Sequence, residues 1–258
     1  MRLTVLGAGA YGSALAHVLE LNHHEPVFYS LEYNTTLKDA LKGAEMQLIV
    51  LPSKAIPELL PKLPKDLPLI VASKGITDPN MFQEFADVLA ISGAGYGGDI
   101  LKHKPTKLTA SDPRIDEIFG TDWLTFDHTN DIKGMFICGS LKNIYAIDAG
   151  RKNIKQNTKE FDDYIKEVAI EFKAILEANN AKPDTFDLSC GIDDLRLTCN
   201  YPSRNYEFGQ ILIINPDYKP KKTVEGVTAL KRIKAGELDI PESAKIMQSI
   251  IKESEKWD

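Results

Sequence analysis

The pattern of apolar and polar positions changes character near residue 133. Before that point, short apolar runs alternate with helical patterns. Arg2–Leu6, Val27–Ser30, Met46–Leu51, Leu69–Ala72 and Thr106–Ala110 read as strands, and SALAHVLELN from Ser13 reads as a helix. After it there is no strong strand alternation, and helical patterns cover Lys159–Asn179, Val224–Ala235 and Ser243–Glu255. Pro183-Asp184-Thr185 and Pro241-Glu242-Ser243 look like turns or helix starts. At the junction stands Gly134–Gly150, GMFICGSLKNIYAIDAG, mostly apolar, free of Pro and flanked by Gly, which predicts a buried helix. Strand–helix alternation followed by helices alone predicts an α/β domain over residues 1–133 and an all-helical domain over 134–258.

The first strand runs straight into Gly7-Ala8-Gly9-Ala10-Tyr11-Gly12 and then a helix. GxGxxG in that setting has a physical rationale. Gly7 permits the turn, Gly9 lets backbone approach a pyrophosphate, and Gly12 lets the helix pack on the strand. The helix-start amides then face the phosphates. This favours a doubly wound Rossmann domain with Gly7, Gly9, Ala10, Tyr11 and Gly12 on a dinucleotide. About 20 residues beyond such glycines lies the position that meets the adenine ribose. Here it reads Ser30-Leu31-Glu32-Tyr33, with no Arg or Lys before Lys38. Glu32 can bond ribose hydroxyls and would repel a 2′-phosphate, so NAD is expected, with NADP possible; the alternative is a solvated loop acid. Ligands of open parallel sheets bind beyond the carboxyl ends of strands, which places Lys74, in Ser73-Lys74-Gly75, where it can meet a substrate or cofactor. Ile91–Gly98 is a second Gly-rich loop without an assigned purpose.

Lys142 lies mid-way along the junction helix. Its neighbours three and four positions away are Cys138, Gly139, Tyr145 and Ala146, so no carboxylate is within intrahelical pairing range. Either the lysine snorkels out, or it is buried and takes a partner from elsewhere in the chain. Asp194 and Thr198 are four apart and share a helix face. Pro202 breaks or starts a helix, and Ser203-Arg204-Asn205 behind it offers a hydroxyl, a guanidinium and an amide, a set suited to a phosphate or a carboxylate. Helix capping by Asp193-Asp194 and a surface ion pair for Arg204 are the plain alternatives.

Composition narrows the classes. In 258 residues, 43% hydrophobic and 26% charged, the balance is that of an ordinary globular protein. A net charge of −6 argues against nucleic acid or an anionic membrane as main partner. There is no apolar run of spanning length and no signal-peptide layout in MRLTVLGAGAYG. Cys138, Cys190 and Cys199 have no CxxC spacing and read as reduced core thiols of a cytoplasmic protein, and the five histidines form no metal motif, so no metal is expected.

GAGAYGSALA, the SKG after a late strand, ICGSLKNIYAIDAG, DDLRLTCNYPSRNYEFG and VEGVTALK, in that order, resemble the NAD(P)-dependent glycerol-3-phosphate dehydrogenases over nearly the whole chain. The resemblance implies interconversion of dihydroxyacetone phosphate and sn-glycerol 3-phosphate by hydride transfer, feeding glycerophospholipid synthesis. It implies a phosphorylated small-molecule substrate, no membrane insertion and a possible homodimer. By the same resemblance, Lys142 is the general acid/base, its pKa lowered by burial, and Lys74 a second lysine of the substrate site. Asp194 and Thr198 orient that site, with Asp194 as the partner of Lys142. Arg204 and Asn205 hold the substrate phosphate, Glu225 lies close to the cofactor (as do Lys74 and Arg204), and Asn143 and Asn157 match polar family positions. The active site is expected in the cleft between the two domains. The chain departs from the family in being short after Glu32, in lacking Pro in Ser92–Tyr96, and in having Glu32 where many bacterial relatives have Arg. Another two-domain hydroxy-acid or sugar-acid dehydrogenase and a non-catalytic NAD(P)-binding sensor are the rival readings.

Overall fold

The computed structural model describes all residues except Thr77, Lys221 and Asp258, and leaves the side chain of Lys256 aside. It divides into two compact units, Met1–Lys74 with Pro79–Ile132, and Gly75–Asp78 with Lys133–Asp258.

The first unit is a seven-stranded sheet: β1 (Arg2–Leu6), β2 (Glu25–Tyr29), β3 (Met46–Ile49), β4 (Leu69–Val71), β5 (Val88–Ser92), β6 (Thr106–Ala110) and β7 (Leu124–His128). Their spatial order is β2-β1-β3-β4-β5-β6-β7, with every pairing parallel except β5–β6. The inner strands read as continuous apolar runs because both sheet faces are covered. Leu3, Val5, Leu48, Ile70 and Leu89 pack with Leu15 and Val18 of helix α1 (Ala10–Leu21). The connections carry α2 (Leu37–Leu41), α3 (Ile56–Leu59), α4 (Gly97–Ile100) and α5 (Arg114–Phe119). Two polar side chains drawn into this core donate to backbone: Thr4 Oγ1 to the Ala40 carbonyl at 2.7 Å, and Gln47 Nε2 to that of Pro64 at 3.0 Å.

Two strands escape the sequence pattern. β5 is a short apolar run that continues into glycines, and β7, LTFDH, alternates over only a few residues just before a helix. The second strand begins two residues earlier than its apolar run. Pro26 is accommodated because β2 is the sheet edge, where a missing N–H breaks no ladder.

The second unit contains only helices among its described residues: α6 (Ile132–Arg151), α7 (Lys159–Ala178), α8 (Asp194–Thr198), α9 (Arg204–Ile214), α10 (Glu225–Lys234) and α11 (Lys245–Glu253). Helix α7 starts where Thr158 Oγ1 accepts from Phe161 N at 3.1 Å, with Glu160 and Asp162 in the first turn. Helix α6 overruns the glycines at both ends of the apolar stretch, and every residue from Gly134 to Gly150 is buried. Gly150 does not end the helix; it admits a neighbour. A side chain there would collide with the Tyr206 carbonyl of α9, just as one at Gly209 would collide with the Ile147 carbonyl of α6, so the two backbones touch. Gly75–Asp78 joins this unit through Ser140 Oγ, which donates to the Ile76 carbonyl at 2.7 Å, and Arg232, which donates to that of Gly75 at 3.1 Å.

Candidate active site

In the first unit, strand order reverses at β1, which lies between β2 and β3. Ligands of such sheets bind at that switch point, beyond the strand ends. The glycine turn sits there. Gly7 has φ +117°, and a side chain on it would strike the Val50 carbonyl just after β3. A side chain on Gly12 would strike the Gly7 carbonyl, so the helix start is locked onto the turn. Gly9 faces open space, with nothing within 4 Å of its would-be side chain, as a phosphate cradle requires. A cavity of about 700 Å³ extends from Gly7–Gly9 past Tyr29–Thr35 and Val50–Pro52. This arrangement fits a dinucleotide. Glu32 lines the cavity and is exposed, and Tyr33 stacks on Phe28 with ring centroids 4.9 Å apart. Lys74 is half-buried, its Nζ 5.6 Å from the Tyr11 ring centre. Ser73 beside it is pinned to the end of β3, donating to the Ile49 carbonyl at 3.3 Å and accepting from Leu51 N at 2.9 Å.

In the second unit the long-range partner of Lys142 is found. The lysine does not snorkel; it is 1% exposed, and its Nζ donates to Oδ2 of Asp194, equally buried. Asp194 opens α8, directly after a π-turn over Ser189–Asp193. Neither Asp193 nor Asp194 caps that helix through its side chain. Thr198, one turn later, donates from Oγ1 to Asp194 Oδ1 at 3.4 Å. A buried ion pair is poor as a stabilising device, because desolvation offsets most of the attraction. A buried amine held against a buried carboxylate suits proton chemistry better.

Lys142 stands in a wider buried polar network. The Cys199 thiol is pushed well above its ordinary range by burial, then by the charge of Asp148, with Lys142 opposing. Tyr164 Oη donates to Asp148 Oδ2 at 3.0 Å. Tyr145 donates to Glu171 Oε2 at 3.0 Å, while Glu171 also accepts from Ile246 N (2.6 Å) and Met247 N (3.1 Å) at the start of α11. Sequence reading passes over Glu171, because a lone acid in an amphipathic helix carries no local mark of burial. All three cysteines are buried, and none is in a disulfide among the described residues.

Asn143 and Asn205 meet each other. Asn143 Nδ2 donates to the Gly139 carbonyl (3.0 Å), Asn205 Nδ2 to Asn143 Oδ1 (2.8 Å), and Gly226 N to Asn205 Oδ1 (2.9 Å). This chain ties α6, α9 and α10 together. It holds Glu225, half-buried at the start of α10, beside the residue after Lys142. Arg204 is exposed at the first position of α9, with Glu207, Phe208, Tyr218 and Lys222 lining a cavity of about 260 Å³ around it. No ion pair engages Arg204 among the described residues. Asn157 sits at φ +64° in the turn before α7.

Residues 131–254 match the model of the NAD-dependent glycerol-3-phosphate dehydrogenase C-terminus family, a span that takes in Lys142, Asp194, Thr198, Arg204 and Asn205. Over this C-terminal span the chain is similar to the NAD-dependent glycerol-3-phosphate dehydrogenases, and relatives of that name extend the likeness over most of its length. A glycerol-3-phosphate dehydrogenase [NAD(P)+] of Citrifermentans bemidjiense is 28% identical over 81% of this chain and 77% of the relative. One of Neorickettsia sennetsu is 26% identical over 90% and 83%. Among solved structures, the glycerol-3-phosphate dehydrogenase of Coxiella burnetii superposes with a TM-score of 0.81 at 20% identity, over 98% of this chain and 96% of that one, which supports the family's fold. No helix among the described residues is long and apolar enough to cross a membrane.

Proposed function

We propose that this chain is an NAD(P)-dependent sn-glycerol-3-phosphate dehydrogenase that interconverts dihydroxyacetone phosphate and sn-glycerol 3-phosphate. The observation that carries the reading is the dry Lys142–Asp194 pair with Thr198 against it. Reducing a ketone builds negative charge on its oxygen. Lys142 stabilises that charge and gives its proton to the oxygen, regaining one from solvent; in the reverse direction it accepts the hydroxyl proton. Asp194 aims the amine and keeps a charge of opposite sign beside it, and Thr198 orients Asp194.

NAD, or NADP, supplies the hydride when bound. Gly7, Gly9 and the amides of Ala10, Tyr11 and Gly12 hold its phosphates, and Glu32 bonds the ribose hydroxyls, which favours NAD. Lys74 provides a second positive charge for the substrate and cofactor, and Glu225 lies near the cofactor. Arg204 grips the substrate phosphate in a bidentate manner, so that the carbonyl is fixed by a group remote from it. Asn205 and Asn143 complete that side of the site. The product feeds glycerophospholipid synthesis, and three cysteines outside any disulfide suit a reducing cytoplasm. A homodimer is the assembly to test first by sizing.

The test is a coupled assay with NADH and NADPH, each against dihydroxyacetone phosphate and against a panel of keto acids. Turnover of dihydroxyacetone phosphate, faster with NADH, is expected. Turnover of keto acids alone would replace the reading with a hydroxy-acid dehydrogenase, and cofactor binding without any turnover would make the chain a sensor.

A further inference from the structure

We infer that Gly97, in the second glycine-rich segment, is a positioning residue for the cofactor: it sets where the first amides of α1 stand. The inference rests on reading that helix start as the phosphate cradle. A side-chain carbon built on Gly97 would lie 2.5 Å from the Ala10 carbonyl oxygen and 3.1 Å from Tyr11 N. Both are backbone atoms, so neither can swing aside. Tyr11 N belongs to the first turn of α1, whose amides lack intrahelical acceptors and are the ones offered to an anion. Any side chain at position 97 therefore forces apart the Gly97 segment and the start of α1, at the donors themselves.

The other glycines nearby have different surroundings. Gly98 is exposed, and its would-be side chain meets nothing within 4 Å. Gly95 faces the Leu108 and Thr106 side-chain methyls, at 3.1 Å each, which can yield. Of these three, only Gly97 faces the backbone of α1.

The contact extends along the helix. His17 of α1 and His103, just beyond α4, place their Nε2 atoms 3.0 Å apart. Their rings are nearly coplanar at 19°, with centroids 5.4 Å apart, so the nitrogens meet head-on, one donating and the other accepting. His103 in turn stacks on Trp123, with centroids 4.6 Å apart. The segment from Gly97 to His103 is thus fixed to α1 at two points about two turns apart. A shift at Tyr11 also reaches Lys74, whose Nζ lies 5.6 Å from the Tyr11 ring centre.

The experiment compares Gly95→Ala, Gly97→Ala and Gly98→Ala by NADH titration, steady-state kinetics and thermal melting. Gly97→Ala is expected to weaken NADH binding and raise its KM by about tenfold or more, equivalent to about 1.4 kcal/mol. Its kcat at saturating NADH should stay within about threefold of wild type. Gly98→Ala should match wild type throughout, and Gly95→Ala should lower Tm without altering the KM for NADH. A folded Gly97→Ala that binds NADH as tightly as wild type overturns the inference. If Gly97→Ala fails to fold, hydrogen exchange on the wild type decides. NADH should then slow exchange at residues 96–101 together with 10–12, and protection of 10–12 alone overturns it. A wild type that binds neither NADH nor NADPH retires the dinucleotide reading itself, a result distinct from either.

Discussion

Lys142 Nζ donates to Asp194 Oδ2 across 52 residues of sequence, with neither side chain more than 2% exposed. The pair determines which substitutions can test the mechanism. Removing one partner of a buried pair leaves the other charge unpaired, at a cost of about 3–5 kcal/mol. Lys142→Met is therefore expected to lose both turnover, by orders of magnitude, and Tm, while NADH binding stays nearly unchanged because the cradle lies in the other unit. Lys142→Arg separates the two effects: it keeps a cation beside Asp194 but cannot release a proton near neutral pH. It should fold and lack turnover, and a Lys142→Arg variant with wild-type kcat would remove the acid/base assignment.

Arg204 is exposed and engaged in no ion pair among the described residues, so its loss should change stability by less than about 0.5 kcal/mol. Arg204→Ala should instead raise the KM for dihydroxyacetone phosphate by about tenfold to a hundredfold, since charge-assisted hydrogen bonds to the phosphate are worth roughly 1.5–3 kcal/mol. An unchanged KM would move the phosphate site elsewhere.

Asn205 has the opposite character. Its amide satisfies Asn143 Oδ1 and Gly226 N in a buried setting. Asn205→Ala leaves both without that partner, at about 1–3 kcal/mol each. A drop in Tm should accompany any kinetic defect, as differential scanning calorimetry would read. A variant with full Tm and a raised substrate KM would make Asn205 a phosphate ligand and nothing more.

Glu32 lines the first-unit cavity as an exposed acid. Replacing it by Ser removes both a ribose acceptor and a negative charge that opposes a 2′-phosphate. Glu32→Ser should narrow the ratio of kcat/KM for NADH over NADPH by about tenfold or more. A ratio left as it was would return Glu32 to the role of a solvated loop acid.

Burial pushes the Tyr145 and Tyr164 phenols well above their ordinary range, aided by Glu171 and Asp148 respectively. The fold favours the neutral phenol, so this contribution is intact below the unfolded value of about 10 and is lost as pH rises beyond it. In an alkaline absorbance titration, Tyr145 and Tyr164 should ionise only with cooperative unfolding, out of nine tyrosines in the chain. Ionisation of all nine while the helical circular dichroism persists would contradict that burial.

The sequence by itself determined what depends on neighbours along the chain. The glycine turn between β1 and α1, the apolar helix around Lys142, the one-turn spacing of Asp194 and Thr198, and the helix start after Pro202 are all local patterns with local physics. That a buried Lys142 would need a distant partner was also legible, because no carboxylate lies three or four positions away on its helix, although the sequence left burial and snorkelling open. Tertiary structure decided what composition and period do not encode. Strands β5 and β7 exist because neighbouring strands pair with them, although their own runs are weak. The glycines at the ends of the Lys142 helix look like stops, yet Gly150 serves contact with α9. Gly97 differs from Gly98 in what stands opposite, and Glu171 is buried where Tyr145 of α6 and the start of α11 supply it with donors. Propensity and spacing act within a few residues, whereas the close approach of two backbones is settled by packing between segments far apart in sequence.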